Sequence, residues 1–244
     1  MKKAVFNWSG GKDSAIALHY ILKEGKYQVS KLLTSVNSHH HRISMHGVRV
    51  ELLEQQTAKL ELPLEKLMLP EQPQMAEYEE IMGNMLTQLQ NEGITHSIFG
   101  DIFLEDLKTW RENKLSEIGM KAVFPLWKKN TLNLLHEFVE MGFKTIIVCC
   151  NAQLLDKSFA GMIIDRDFIK DLPKNVDPCG ENGEFHTFVF DGPIFKSPVE
   201  FTLGETVYKE YDHPNSQQNG KDKMGFWFAD LINPSDTKAK NKLF

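Results

Sequence analysis

Six consecutive residues near the start of the chain, Ser9-Gly10-Gly11-Lys12-Asp13-Ser14, combine two glycines, an ammonium group, two hydroxyls and a carboxylate. That set suits a highly charged anion. Adjacent glycines let the backbone turn tightly and come close to a ligand. Backbone N–H groups at a helix start are unpaired donors backed by a positive dipole end, which favours phosphate. Lys12 adds a point charge, and Ser9 and Ser14 add hydroxyl donors. Asp13 fits beside phosphate only as a helix cap, as an orienter of Lys12 or as a contact for Mg²⁺. The bland alternative is a Gly-rich helix cap. A second stretch, Cys179-Gly180-Glu181-Asn182-Gly183-Glu184-Phe185-His186-Thr187, is followed by Asp191-Gly192-Pro193. Asn182-Gly183 alone would make a hairpin turn. The chemical alternative is a loop that sets Glu181 and Glu184 against an amine, a hydroxyl or Mg²⁺. His186 lies two residues past Glu184, so on a strand both face the same side. They could act as base and orienter, or form a surface pair.

The elements around these stretches decide where they can act. Residues 4–8 are an apolar run of strand length, and residues 15–22 carry the apolar pattern of a buried helix. The hexapeptide is therefore a strand-to-helix turn. It is not a Walker A loop, which needs Gly-x-x-x-x-Gly-Lys-Ser/Thr; Phe6 stands where the first glycine would be, and Asp13 follows the lysine. Further strands are expected at 29–36, 64–69, 95–101 and 121–124, with helices at 48–60, 75–91 and 105–118 between them. This alternation predicts an α/β fold with a doubly wound, parallel, five-stranded sheet. Ligands of such sheets sit outside the carboxyl ends of the strands. The loops there begin at Ser9, Thr34, Leu69, Gly100 and Pro125. They should bring Thr34, His46, Arg49, Gly100 and Asp101 to the same ligand as the hexapeptide. Asp101 reads either as a contact for Mg²⁺ or a ribose, or as the cap of the next helix. The run His39-His40-His41 lies in an expected polar loop at 37–44. It reads as solvated rather than metal-binding, because neighbouring side chains of an extended loop point apart.

The second half changes character. A helix at 132–141 and a strand at 145–150 continue the first pattern, and 159–172 mixes helix and loop. After Pro178 the chain becomes Gly- and Phe-rich, with strands expected at 185–190, 199–202 and 223–232. The expected organisation is a domain at 1–127 that holds the anion and a smaller α+β domain at 128–244. A polar loop at 215–222 and a loose tail over the last dozen residues complete it.

With 244 residues, 41% hydrophobic and 25% charged, the composition is that of an ordinary soluble globular protein with ample core. A formal net charge of −5 argues against a protein whose main task is gripping nucleic acid. Cys149, Cys150 and Cys179 make no disulfide framework and no C-x-x-C, which suits a reducing compartment. No apolar run reaches membrane-span length, and the start runs straight into a strand without a leader pattern. The expected location is cytoplasmic, with no membrane partner.

Ser9 to Ser14 resembles the PP-loop of the ATP pyrophosphatase superfamily, which implies a HUP-type fold and cleavage of ATP between the α and β phosphates. The run Gly-Glu-x-Gly-Glu-Phe-x-Thr at 180–187, followed by Asp191-Gly192-Pro193, extends the likeness. So do Phe99-Gly100-Asp101-Ile102, Glu112 and Pro125-Leu126-Trp127. Together they resemble the diphthine–ammonia ligase family, the N-type ATP pyrophosphatases, over residues 1 to about 200. The run from Gly100 to Asp106 looks more like bacterial members. The resemblance implies an enzyme that uses ATP and Mg²⁺ to adenylate a carboxylate, after which ammonia displaces AMP to give an amide. The family's acceptor is a modified histidine on elongation factor 2. The bacterial likeness leaves open whether the acceptor here is a protein or a small molecule. Carried over by position, Ser9, Gly10, Gly11, Lys12, Asp13 and Ser14 would hold the triphosphate, with Lys12 catalytic. Glu181, Asn182, Gly183, Glu184, His186 and Thr187 would line the acceptor side, with Glu184 as its catalytic carboxylate. Asn182 stands where the family commonly has glycine, and His186 where it has glutamate. A homodimer is left open.

Two other readings compete. A PP-loop enzyme that modifies tRNA is disfavoured by the acidic balance, by the missing catalytic cysteine pair and by the lack of an RNA-binding appendage. A non-catalytic ATP or AMP sensor is disfavoured by the Glu-rich loop, which a pure binder does not need.

Overall fold

The computed structural model describes residues 1–71, 73–212 and 223–235. Its centre is β1 (Lys2–Asn7), whose Ala4, Val5 and Phe6 are fully buried. An uninterrupted apolar run of this kind belongs to a strand covered on both faces. Around it lie α1 (Lys12–Glu24), β2 (Tyr27–Asn37), β3 (Arg42–Ile43), α2 (Val50–Leu60), β4 (Leu64–Leu69), α3 (Met75–Asn91), β5 (His96–Ile98), α4 (Glu105–Glu117) and β6 (Lys121–Val123). The parallel strands run in the order β4-β2-β1-β5-β6. This is the expected doubly wound α/β sheet of five parallel strands. Ala4 and Phe6 join α1 and α2 in one apolar cluster, while Val5 joins α3 and α4 in the other. The two-residue alternation of a strand thus sends each helix pair to its own face.

A sixth strand departs from the expectation. β3 pairs antiparallel with Val36 and Asn37 at the end of β2, inside the segment read as polar loop. Two residues are too short for any alternation to show.

The second half forms α5 (Thr131–Glu140), β7 (Lys144–Asn151), α6 (Arg166–Asp171), β8 (Phe185–Asp191), β9 (Thr202–Asp212) and β10 (Lys223–Ile232). These strands make an antiparallel sheet in the order β8-β7-β10-β9. β9 begins where the sequence placed a strand's end. Val199 lies before it, buried, with its N–H donated to the Phe190 carbonyl. The expected polar loop at 215–222 and most of the expected loose tail lie outside the described residues. Leu134 and Phe138 of α5, Val148 of β7 and Phe188 of β8 belong to the same apolar cluster as Phe6 and α1. The second sheet is therefore packed on the α1–α2 face, close to the hexapeptide.

Candidate active site

α1 starts at Lys12, three residues earlier than its apolar pattern suggested, so the last three residues of the hexapeptide are the helix's first turn. The first bond back to the cap runs from Ala15 N–H to Gly11 C=O. The N–H groups of Asp13 and Ser14 have no intrahelical acceptor. Gly10 sits at φ +80°, and a Cβ there would lie 2.9 Å from Gln56 Oε1. Both facts require glycine. A Cβ on Gly11 would lie 2.9 Å from the His46 ring.

The second sheet clamps this turn. Val189 N–H donates to Gly10 C=O at 2.9 Å, and Lys12 N–H donates to Thr187 Oγ1 at 3.0 Å. Gln56, fully buried on α2, completes the clamp. Its Oε1 accepts from Trp8 Nε1 at 2.7 Å, and its Nε2 donates to Gly10 C=O at 2.9 Å and Val189 C=O at 2.6 Å.

The Lys12 side chain is buried. Its Nζ pairs with the Asp13 carboxylate at 2.7 Å, donates to the Cys179 carbonyl and lies 5.2 Å from the centre of the Phe185 ring. Burial alone would lower its pKa. The Asp13 carboxylate leads the opposing influences, and the net shift is upward, so the ammonium stays charged. Asp13 thus orients Lys12, one of the roles open to it from sequence.

A cavity of about 610 Å³ opens at the carboxyl ends of β1, β2 and β5. One wall is polar, with Ser9, Lys12, Asp13, Ser14, Thr34, His46, Gly100, Asp101, Glu181, Gly183, His186 and Thr187. The other is apolar, built by Leu33, by Tyr78 and Met82 of α3, and by Leu107 and Trp110 of α4. Thr34 Oγ1 is committed to the Trp8 carbonyl at 2.6 Å. A Cβ on Gly100 would lie 3.1 Å from Asp13 C and Ser14 N, so the chain after β5 packs directly on the first turn of α1. Asp101 pairs with Arg111 of α4. Burial raises its pKa, with Arg111 opposing and Asp13 adding to the rise.

The loop before β8 divides its two glutamates. Glu181 lines the cavity, and its Oε1 accepts from Ile102 N–H at 2.7 Å. Burial, then the carboxylates of Asp13 and Asp101, lift its pKa to about 7 against the hydrogen bond from Ile102. Glu184, expected to be the catalytic carboxylate, is buried away from the cavity lining. Its Oε1 accepts from Asp177 N–H and Asn182 Nδ2, both at 3.0 Å, and its Oε2 accepts from Asn182 N–H at 2.9 Å. These three donors, all from the loop's own segment, tie the carboxylate into the fold of the loop. Asn182 is exposed and shares in that fold rather than in the lining.

His46 and His186 meet at the mouth of this loop, with ring centres 4.7 Å apart. His46 Nδ1 donates to the Thr187 carbonyl at 3.0 Å. Burial lowers the His46 pKa to about 4, and burial with the neighbouring His46 lowers that of His186 to about 3. Both are neutral imidazoles at pH 7.

Arg49 does not line the cavity. It precedes α2, and its guanidinium makes a two-pronged contact with Asp230 of β10, at 3.1 and 2.7 Å. Arg42 reaches the same carboxylate at 2.9 Å. The acid that captures Arg49 lies 181 positions away in sequence, out of reach of a reading of local spacing. Sequence reasoning also missed Gln56, Arg111 and the Tyr78–Trp110 wall. Polar Gln56 in the midst of the apolar helix residues Leu52, Leu53 and Leu60 was the one available signal.

Residues 1–122 match the diphthamide synthase N-terminal domain, and residues 130–218 match the diphthamide synthase C-terminal domain. A diphthine–ammonia ligase of Schizosaccharomyces pombe is 35% identical over 107 residues, 41% of this chain and 17% of that protein. The Mus musculus diphthine–ammonia ligase is 30% identical over 106 residues, 41% of this chain and 40% of that protein. The Danio rerio one is 27% identical over 142 residues, 54% of each. The chain thus spans at most about half the length of these curated relatives. Among solved structures, the U34-tRNA thiolase NcsA from Methanococcus maripaludis with its [4Fe-4S] cluster superposes with a TM-score of 0.34 at 16% identity, over 58% of this chain and 57% of that one. Among the described residues, no helix is long and apolar enough to cross a membrane.

Proposed function

The chain belongs to the diphthamide synthase family, and from that premise we propose that it is an ATP-dependent, AMP-forming carboxylate–ammonia ligase. The observation that carries the reading is the cavity itself. One opening of about 610 Å³ holds both the first turn of α1 with Lys12 and a carboxylate, Glu181, brought in from the second half of the chain. The reading divides the work accordingly. The free N–H groups of Asp13 and Ser14, the Ser9 hydroxyl and Lys12 receive the triphosphate, while the Ser14 hydroxyl donates to the Gly11 carbonyl at 2.8 Å. The apolar wall of Leu33, Tyr78 and Met82 is suited to the flat face of the base.

Mg²⁺ takes one or two carboxylates together with phosphate oxygens and waters. Asp101 and Asp13, which stand on the cavity wall, fit that demand and would hold it. There it would supply charge neutralisation for the phosphates.

In the proposed reaction an acceptor carboxylate oxygen attacks the α phosphorus, and pyrophosphate leaves. Ammonia then attacks the carbonyl carbon of the mixed anhydride, the bond to AMP breaks, and a proton is lost from nitrogen. Glu181 takes that proton in this reading, which its position on the cavity lining supports. Most ammonia is ammonium at neutral pH, so a carboxylate there also helps to hold it. The neutral His46 and His186 add no positive charge beside Lys12. The acceptor is a carboxylate on a protein such as an elongation factor or on a small molecule. A cytoplasmic location goes with either.

The test is the product ratio. Incubation with ATP, Mg²⁺, ammonium and cell extract as a source of acceptors, followed by ion-exchange chromatography, is expected to show AMP and pyrophosphate in equal amounts, dependent on ammonium. ADP and phosphate as the main products overturn the proposal.

A further inference from the structure

The residues after β2 form a tight turn where the sequence suggested an extended loop. Asn37 Oδ1 accepts from both His39 N–H, at 3.0 Å, and His40 N–H, at 2.9 Å. Ser38 N–H donates to the Leu69 carbonyl at 2.8 Å, which pins the turn to the end of β4, two residues before Glu71. The objection that neighbouring histidines point apart holds for extended chain and fails here. The His39 and His40 ring centres are 4.8 Å apart, and His40 Nε2 lies 2.9 Å from Glu71 Oε1. One ligand atom from each of the three residues lies within 4.8 Å of the others.

We propose that His39, His40 and Glu71 form a binding site for a divalent transition-metal ion, with Zn²⁺ as its best match. Two imidazole nitrogens and one carboxylate oxygen are a borderline donor set of the kind that holds zinc with a water in the fourth place. Donor atoms around tetrahedral zinc at about 2.0–2.2 Å lie roughly 3.4 Å apart. All three side chains are exposed, so closing the gap calls for side-chain rotation at the surface rather than repacking of the core. A simple His–Glu ion pair would need one histidine, and here a second stands beside it on a turn held by backbone hydrogen bonds. The site is independent of the proposed reaction and of any Mg²⁺ at Asp101. It bridges two segments that flank the cavity: the β2–β3 turn, which leads to His46, and the connection into α3, which carries Tyr78 and Met82. A bound ion would tie these two walls together at their rim.

The experiment is calorimetric titration of the full chain, without any histidine tag and freed of metal by a chelator, with zinc chloride. One equivalent is expected to bind. His40→Asn and Glu71→Gln should each weaken binding tenfold or more. His41→Asn, next in the run but outside the cluster, should leave it within twofold; Asn tolerates the positive φ of 50° found at His41. Mg²⁺ at the same concentration should not compete. No stoichiometric binding overturns the proposal. So does unchanged affinity in Glu71→Gln, or an equal loss in His41→Asn and His40→Asn, since either means that the histidine run chelates without the built site.

Discussion

Glu181 Oε1 accepts the Ile102 N–H over 2.7 Å and so joins the loop before β8 to the loop after β5. Glu184, three residues on, turns its carboxylate into its own loop. Two side chains of one type divide into a group that faces the cavity and a group that folds the segment carrying it.

This division predicts opposite phenotypes for the same conservative change. Glu181→Gln should cut ammonia-dependent AMP release by about 10²–10⁴, the range for general acid–base groups, with ATP affinity nearly unchanged. Glu184→Gln places an amide against three donors, of which it can satisfy only part. It should lower the urea midpoint by an amount worth about 1.5–3 kcal/mol. Normal turnover in Glu181→Gln, with loss of turnover but not stability in Glu184→Gln, would reverse the assignment.

Lys12→Ala should weaken ATP binding by roughly ten- to a hundredfold, since a charge-assisted contact is worth about 1.5–3 kcal/mol. Titration calorimetry reads this directly. An unchanged ATP affinity would place the triphosphate elsewhere.

His46 and His186 predict how stability responds to acid. Their folded pKa values, about 4 and about 3, lie below the ordinary 6.5. Between pH 6.5 and 4 the unfolded chain binds protons that the folded chain refuses. The stability they confer is complete above pH 6.5 and is lost as pH falls toward 4. Glu181 works the other way, because its raised pKa costs stability as pH climbs from 4.5 to about 7. Comparing urea midpoints of the parent and His186→Gln between pH 5 and 7 isolates the histidine contribution. The variant should show the smaller loss on acidification, and parallel curves would count against the half-buried neutral pair.

Arg49→Ala should leave ATP affinity within about twofold. Its contact with Asp230 is partly exposed, so the cost in stability should stay near the 0–1 kcal/mol of surface pairs. Calorimetry that shows a tenfold loss of ATP affinity would return Arg49 to the nucleotide.

The strand–turn–helix units, the order of elements and the hexapeptide were legible because each rests on local periodicity and on glycine chemistry. The same cues put Lys12, Asp13, Asp101 and His46 around one opening. Arg49 and Glu184 were not legible. Arg49 is captured by a residue in β10, and Glu184 by N–H groups whose directions depend on how one short loop folds. Gln56 shows the same limit from the other side, since its value lies in three partners, Trp8 and Gly10 in the turn after β1 and Val189 on β8. β3 and the turn at His39 were hidden because they are set by hydrogen bonds to Asn37 and Leu69 rather than by side-chain pattern.

The clamp on the hexapeptide has a consequence for how the protein comes into being. Thr187, which accepts the Lys12 N–H, lies 175 positions further along the chain, and Val189 follows it. A ribosome adds about 5–20 residues per second, so the turn leaves the exit tunnel well before its partners exist. The first sheet can assemble in that interval, but the loop reaches its final shape only after β8 has been made and docked. Affinity for the nucleotide should therefore appear late in synthesis, and a nascent chain halted before β8 should hold ATP poorly although its first sheet is already complete.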